Sequence, residues 1–251
     1  MNTKNMAVGA ISLVASTLAM TLSATGTAAA ADSGPASTAA ASTSSAVPGN
    51  TLRAGLYYVL YNVKASDLNG PYVPAGVNLD VKNLVTPYFA YLRRLNSHFA
   101  LELAVGLPPT AKTVGKGPAT LGSVPFNGVE VSSAKWLAPT LLLAYSFRDE
   151  SAVLRPYVEL GVNYTHFYDL QSTAAGNQAN GGPTAISLKN SVGPVGTVGF
   201  VWKFRGPWSL DASYSVSQVT SDYAGNTAGV IRTTHVKFNP TPFVVAVGYT
   251  F

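Results

Sequence analysis

The chain contains no cysteine in 251 residues, which removes disulfides, thiolate metal sites and thiol nucleophiles together. It is also poor in charge. Asp, Glu, Lys and Arg make up 11% of the residues, against roughly 25% in an ordinary soluble domain. Beyond the N-terminal segment there is no run of the roughly 20 apolar residues that a membrane-crossing helix needs. Yet 47% of the chain is hydrophobic. Lipid accepts only helices and closed sheets, so an apolar chain without helical spans points to a barrel. The net charge of +5 is scattered, with no basic run or stripe, and nucleic acid is discounted as a partner. His98, His166 and His235 are dispersed and show no metal-ligand spacing, so neither a metal nor another cofactor is expected.

Lys4, the apolar stretch from Met6 to Leu22 and the small residues Ala29 to Ala31 read as a cleaved secretory signal peptide over 1–31. Residues 32–50 are Ser, Thr, Ala, Pro and Gly with almost no large apolar side chain, and are expected to stay disordered as a periplasmic tail. Residues 51–251 alternate period-two apolar segments with connections rich in Gly, Pro, Asn and Asp. Strands are expected near 52–63, 82–94, 98–107, 132–147, 154–168, 188–204, 208–220 and 232–251. The connections at 96–97, 148–153 and 205–207 are short, whereas 64–81, 108–131, 169–187 and 221–231 are long. Short periplasmic turns and long extracellular loops are the asymmetry of outer-membrane barrels. The expected fold is therefore all-β: a closed, antiparallel, eight-stranded transmembrane barrel in the outer membrane of a Gram-negative bacterium.

A single assignment of faces keeps charge out of lipid, where an Arg or Lys at mid-depth costs roughly 2–4 kcal/mol. Trp208, Leu210, Tyr214 and Val216 face out, as do Val158, Leu160, Val162 and Tyr164. Arg53, Glu102, Glu159, Lys203 and Asp211 then all point inward. Buried charges need partners, so these five are expected to form an ionic network that braces and narrows the lumen. A catalytic carboxylate pair, Glu102 with Glu159, is the sharper alternative. Both signs of charge are available to neutralise one another, which favours the structural reading.

The last residues, Phe243 to Phe251, place Phe243, Val245, Val247, Tyr249 and Phe251 on one face and Val244, Ala246, Gly248 and Thr250 on the other. Tyr249 and Phe251 resemble the C-terminal signal read by the outer-membrane assembly machinery. The segments Lys135 to Phe147 and Leu154 to Phe167 resemble neighbouring motifs of the OmpW/AlkL family of small outer-membrane barrels. Trp208 to Asp211 and Val236 to Phe251 are similar to that family's last two strands. The resemblance implies a narrow, rather hydrophobic lumen through which small apolar solutes pass, with a constriction toward the periplasm and a sideways exit between strands into the membrane. In this chain Tyr57, Tyr61, Tyr88, Trp136, Thr140, Leu142 and Phe167 are the expected lumen and solute path. Simple filling of a narrow barrel accounts for the aromatics equally well. Pro87, Pro139, Pro156, Pro194, Pro240 and Pro242 lack the N–H of a ladder bond, which suits either a local opening or strand ends and bulges.

Two further classes stay open. An enzyme acting on lipid would need His166 as its base, and no matching motif surrounds it. An interaction barrel would bind phage, bacteriocin or host factors through its loops. Lys112, Lys116 and Lys135 could meet lipopolysaccharide phosphates or remain solvated loop charges. Outer-membrane lipid is a partner on any barrel reading.

Overall fold

The structure is a computed structural model that describes residues 49–121 and 124–251. The expected signal peptide and nearly all of the expected tail lie outside the described residues. In chain order the elements are β1 (Asn50–Tyr61), β2 (Lys64–Ala65), β3 (Asn78–Val81), β4 (Leu84–Arg94), β5 (Phe99–Gly106) and β6 (Thr110–Lys116). There follow β7 (Thr120–Leu121), β8 (Val124–Pro125), β9 (Glu130–Leu137), β10 (Thr140–Ser146), β11 (Leu154–Ser172) and α1 (Ala174–Asn180). The chain ends with β12 (Thr184–Leu188), β13 (Ser191–Arg205), β14 (Trp208–Ser217), β15 (Thr220–Thr227), β16 (Val230–Lys237) and β17 (Pro240–Thr250).

Eight strands close on themselves in the order β1, β4, β5, β10, β11, β13, β14, β17 and back to β1, every pair antiparallel. Closure leaves no sheet edge, which is what lipid requires of a spanning sheet. Period-two patterning decides the faces. Phe243, Val245, Val247, Tyr249 and Phe251 are exposed while Val244 and Ala246 are buried, and Leu160 is exposed while Glu159 is buried. Outward aromatics gather toward the end that carries the short turns, where Phe99 packs on Tyr145, Tyr145 on Phe147, Trp202 on Phe204 and Trp208 on Tyr249. Such a girdle suits the membrane–water interface.

The opposite end departs from expectation. The segments 64–81, 108–131, 169–187 and 221–231, read as loops, carry further strands. β3, β6 and β9 continue the sheet beside the upper part of β11, and β12, β15, β16 and β2 form a second sheet. The two expected strands 132–147 and 232–251 are each broken, into β9 and β10 at Ala138 and Pro139, and into β16 and β17 at Phe238 and Asn239. Proline removes a ladder donor, and Asn239 takes a left-handed φ of 38°. Register survives the break. Thr220↔Lys237 in the upper sheet extends the alignment of Trp208↔Tyr249 in the barrel. The upper strands exist because they have something to bury: Leu79, Val81, Ala111, Val131, Trp136, Phe167, Val219, Tyr223, Val236 and Phe238 form the largest apolar cluster. A short helix, α1, was not expected, since its sequence has no apolar periodicity. Thr173 caps it by accepting from the Gly176 N–H at 3.0 Å, and Gly181 ends it with φ 79°.

Candidate functional site

The interior is a column of three spaces. The uppermost is an apolar cavity of about 860 Å³, counting the volume continuous with solvent, inside the crown formed by the two upper sheets. Tyr61, Trp136 and Phe167 line it, together with Leu79, Val219 and Phe238. Below it lies a more polar chamber of about 540 Å³, lined by Tyr88, Thr140, Leu142, Glu102 and Glu159 among others. Tyr57, Ala138, Asn163 and Ser217 line both, so the two spaces adjoin. The third is a vestibule at the end that carries the short turns, about 1190 Å³ counting the volume continuous with solvent. Each of the seven residues assigned to a solute path from sequence borders the cavity or the chamber.

Charge separates the chamber from the vestibule. Arg53, Glu102 and Asp211 alternate inward from β1, β5 and β14, and meet at the axis. The Arg53 Nη1 donates to Glu102 Oε2 at 2.6 Å and lies 3.4 Å from Asp211 Oδ2. Tyr88 donates its hydroxyl to Glu102 at 2.7 Å, and Tyr157 donates to both Asp211 oxygens at 3.0 and 3.2 Å. The guanidinium also lies 5.5 Å from the Tyr157 ring centroid, a cation–π distance. Small residues make room for these large ones. A Cβ on Gly199 would sit 2.7 Å from the Tyr157 hydroxyl, so glycine there lets the ring lie flat against β13.

Two members of the expected network behave differently. Glu159 is buried beside it and borders both chamber and vestibule, but forms no salt bridge among the described residues, and its Oε1 has no hydrogen-bond partner there. Lys203 is not in the network at all. It sits nearer the short turns, where its ammonium donates to the Glu150 backbone carbonyl. The correction follows from strand geometry, because Lys203 pairs with Ser209, which stands two residues below the Asp211 level. Sequence reasoning missed the vestibule wall of Arg94, Glu150 and Arg155, in which Arg94 Nη1 holds Glu150 Oε2 at 2.9 Å. It also missed Leu79, Val219 and Phe238, although their alternation with neighbouring polar residues was visible.

The crown surface is paired rather than bare. Lys112 meets Glu130 at 3.1 Å, Lys116 meets Asp80 at 3.7 Å and Lys135 meets Asp169 at 2.8 Å. Hydrogen bonds from Lys82 and Lys112 hold the Glu130 carboxyl below its ordinary pKa, and those from His235 and Lys189 do the same for Asp222. His166, the one base proposed for an enzyme, contacts the Asn190 side chain at 3.1 Å rather than an acid.

A barrel of this order, with its constriction toward the turns, can be compared with known proteins. The model of the OmpW family matches residues 48–251. This chain belongs to the OmpW family. It is 30% identical over 203 residues to outer membrane protein W of Vibrio cholerae, spanning 80% of this chain and 87% of that protein. It is 31% identical over 121 residues to the dibenzothiophene metabolism operon protein PahQ of Pseudomonas aeruginosa, spanning 47% of this chain and 53% of that one. Among solved structures, the outer membrane protein OprG of Pseudomonas aeruginosa superposes with a TM-score of 0.73 at 21% identity, covering 81% of this chain and 96% of that one. As an OmpW-family barrel the protein is a resident of the Gram-negative outer membrane, with lipid around its exposed apolar wall.

Proposed function

We propose that this OmpW-family barrel passes small apolar molecules across the outer membrane, without catalysis, and releases them sideways into the bilayer. The observation that carries the reading is the order of the interior. An apolar cavity in the crown, continuous with solvent, adjoins a chamber whose floor is the Arg53, Glu102 and Asp211 ion network. An apolar solute gains by entering the cavity and would lose by crossing the charges, so its way out lies through the wall above them.

The pairing of β14 with β17 is interrupted above the charges, where the Ser217 hydroxyl donates to the Pro240 carbonyl at 3.3 Å. Their register runs from Trp208↔Tyr249 to Tyr214↔Phe243 and stops, though β14 continues to Ser217 and β17 begins at Pro240. Even-numbered residues of β17 face β14, as the bond from Thr250 N–H to Pro207 O shows at one end and that from Phe238 N–H to Val219 O at the other. Pro240 and Pro242 therefore withhold the donors needed to close this stretch. Pro242, Ser215 and Ser217 border the chamber. The PahQ name, which refers to the metabolism of an apolar aromatic sulfur compound, supports the same solute class. Tyr249 and Phe251 are read as the signal for the assembly machinery, and lipopolysaccharide as the lipid around the crown.

The test is uptake of a panel of apolar and polar solutes by proteoliposomes with and without the barrel. Faster entry of apolar solutes alone is expected, and Leu142→Asp or Trp136→Asp should abolish it while the barrel still assembles. No difference for any apolar solute would remove the proposal.

A further inference from the structure

The chamber floor holds a carboxyl group that the ion network does not pair. Glu102, Asp211 and Glu159 bring three carboxyl groups to the constriction, and Arg53 is the cation in salt-bridge contact with the first two. Tyr88 and Tyr157 supply further donors to Glu102 and Asp211. Glu159 is 3% exposed and receives nothing at Oε1 among the described residues. A buried carboxyl oxygen without a donor is costly, and a donor brought to it would be stabilising. A guest with an N–H donor supplies what Glu159 Oε1 lacks, and an ammonium supplies it as a charge-assisted bond.

The surroundings define the rest of that guest. Leu142, Ala104, Val195 and Val244 form apolar parts of the same chamber wall, and Asn163, which also borders the crown cavity, stands four residues above Glu159 on β11. At the rise of a strand that is about 13 Å, the reach of a medium alkyl chain. A hydrated metal ion would have to shed its water to cross the apolar crown. We propose that the chamber is a subsite for the ammonium head of an apolar amine, with Glu159 as its acceptor and the tail pointing up toward the crown cavity. The inference rests on the passage reading and names a solute class for it.

The experiment measures equilibrium binding of octylammonium and of 1-octanol to the barrel in nanodiscs by titration calorimetry, with barrel-free nanodiscs as baseline. A charge-assisted hydrogen bond predicts that the wild type prefers octylammonium by roughly 10-fold or more, and that Glu159→Gln lowers this ratio about 10-fold. Equal affinities in the wild type, or an unchanged ratio in Glu159→Gln, would overturn the proposal. Should Glu159→Gln not fold, the wild-type ratio decides alone, and Glu159→Asp is expected to retain part of the preference. Octane uptake by proteoliposomes separates the two claims. Octane carried without amine preference removes only the subsite, whereas amine preference without octane uptake removes passage and leaves the subsite standing.

Discussion

Replacing Arg53 by Met tests whether the constriction is held together by charge. In the folded barrel Arg53 lies 2.6 Å from Glu102 and 3.4 Å from Asp211, and all three side chains are almost fully buried. Its removal leaves two carboxylates facing one another, with Glu159 beside them. Tyr88 and Tyr157 still donate, at 2.7 and 3.0 Å, but neither carries charge. Breaking a buried pair by deleting one partner costs about 3–5 kcal/mol, a shift of roughly 10² to 10³ or more in the folding equilibrium. The triple variant Arg53→Met, Glu102→Gln, Asp211→Asn keeps acceptors for both tyrosines and buries no unpaired charge of the triad, so it should recover more than half of the loss. Both are measured by reversible urea unfolding of the barrel in lipid vesicles, followed by tryptophan fluorescence. A loss below about 1 kcal/mol for Arg53→Met, or a triple variant as unstable as the single one, would refute the reasoning.

Other expectations follow from neighbouring features. Gly199→Val drives a side chain into the Tyr157 ring and should cost about 1–3 kcal/mol by breaking its bonds to Asp211, which the same unfolding assay reads. Phe251→Ala should lower the fraction of barrel assembled in the outer membrane, scored by heat-dependent gel mobility, with little change in unfolding once assembled. Asp222 has its pKa lowered by His235 and Lys189, so its bonds support β15 and β16 fully above the ordinary carboxylate pKa of about 3.9 and are lost as pH falls through the lower folded-state value. Hydrogen exchange in that hairpin should therefore differ between wild type and Asp222→Asn at pH 6, with the difference shrinking as pH is lowered below the ordinary carboxylate range.

Much of the barrel was legible because a strand with lipid on one side and a lumen on the other has a strict period of two. That rule sent Arg53, Glu102, Glu159 and Asp211 inward with no knowledge of their partners. It failed where prolines and loop residues interrupt the pattern. The β9–β10 and β16–β17 breaks fall at Pro139 and at Asn239 with Pro240, and the alternation of Val77, Leu79 and Val81 was too short to separate from a loop. Inwardness was also not contact. Lys203 shares a face with Asp211 but stands lower, and only the register between β13 and β14 reveals the difference. The unpartnered oxygen of Glu159 depends on side chains brought from other strands and leaves no trace in its own.

The central claim, passage through the crown cavity and out between β14 and β17, can be tested by closing that gap. Val216 and Thr241 face each other across it if the lower register is continued. The chain has no cysteine, so a Val216→Cys, Thr241→Cys pair is the one site for a short reducible cross-linker. Octane uptake by proteoliposomes is then measured before cross-linking, after it, and after reduction. The account predicts that cross-linking stops uptake and reduction restores it; uptake that continues undiminished through a fully cross-linked barrel would contradict it.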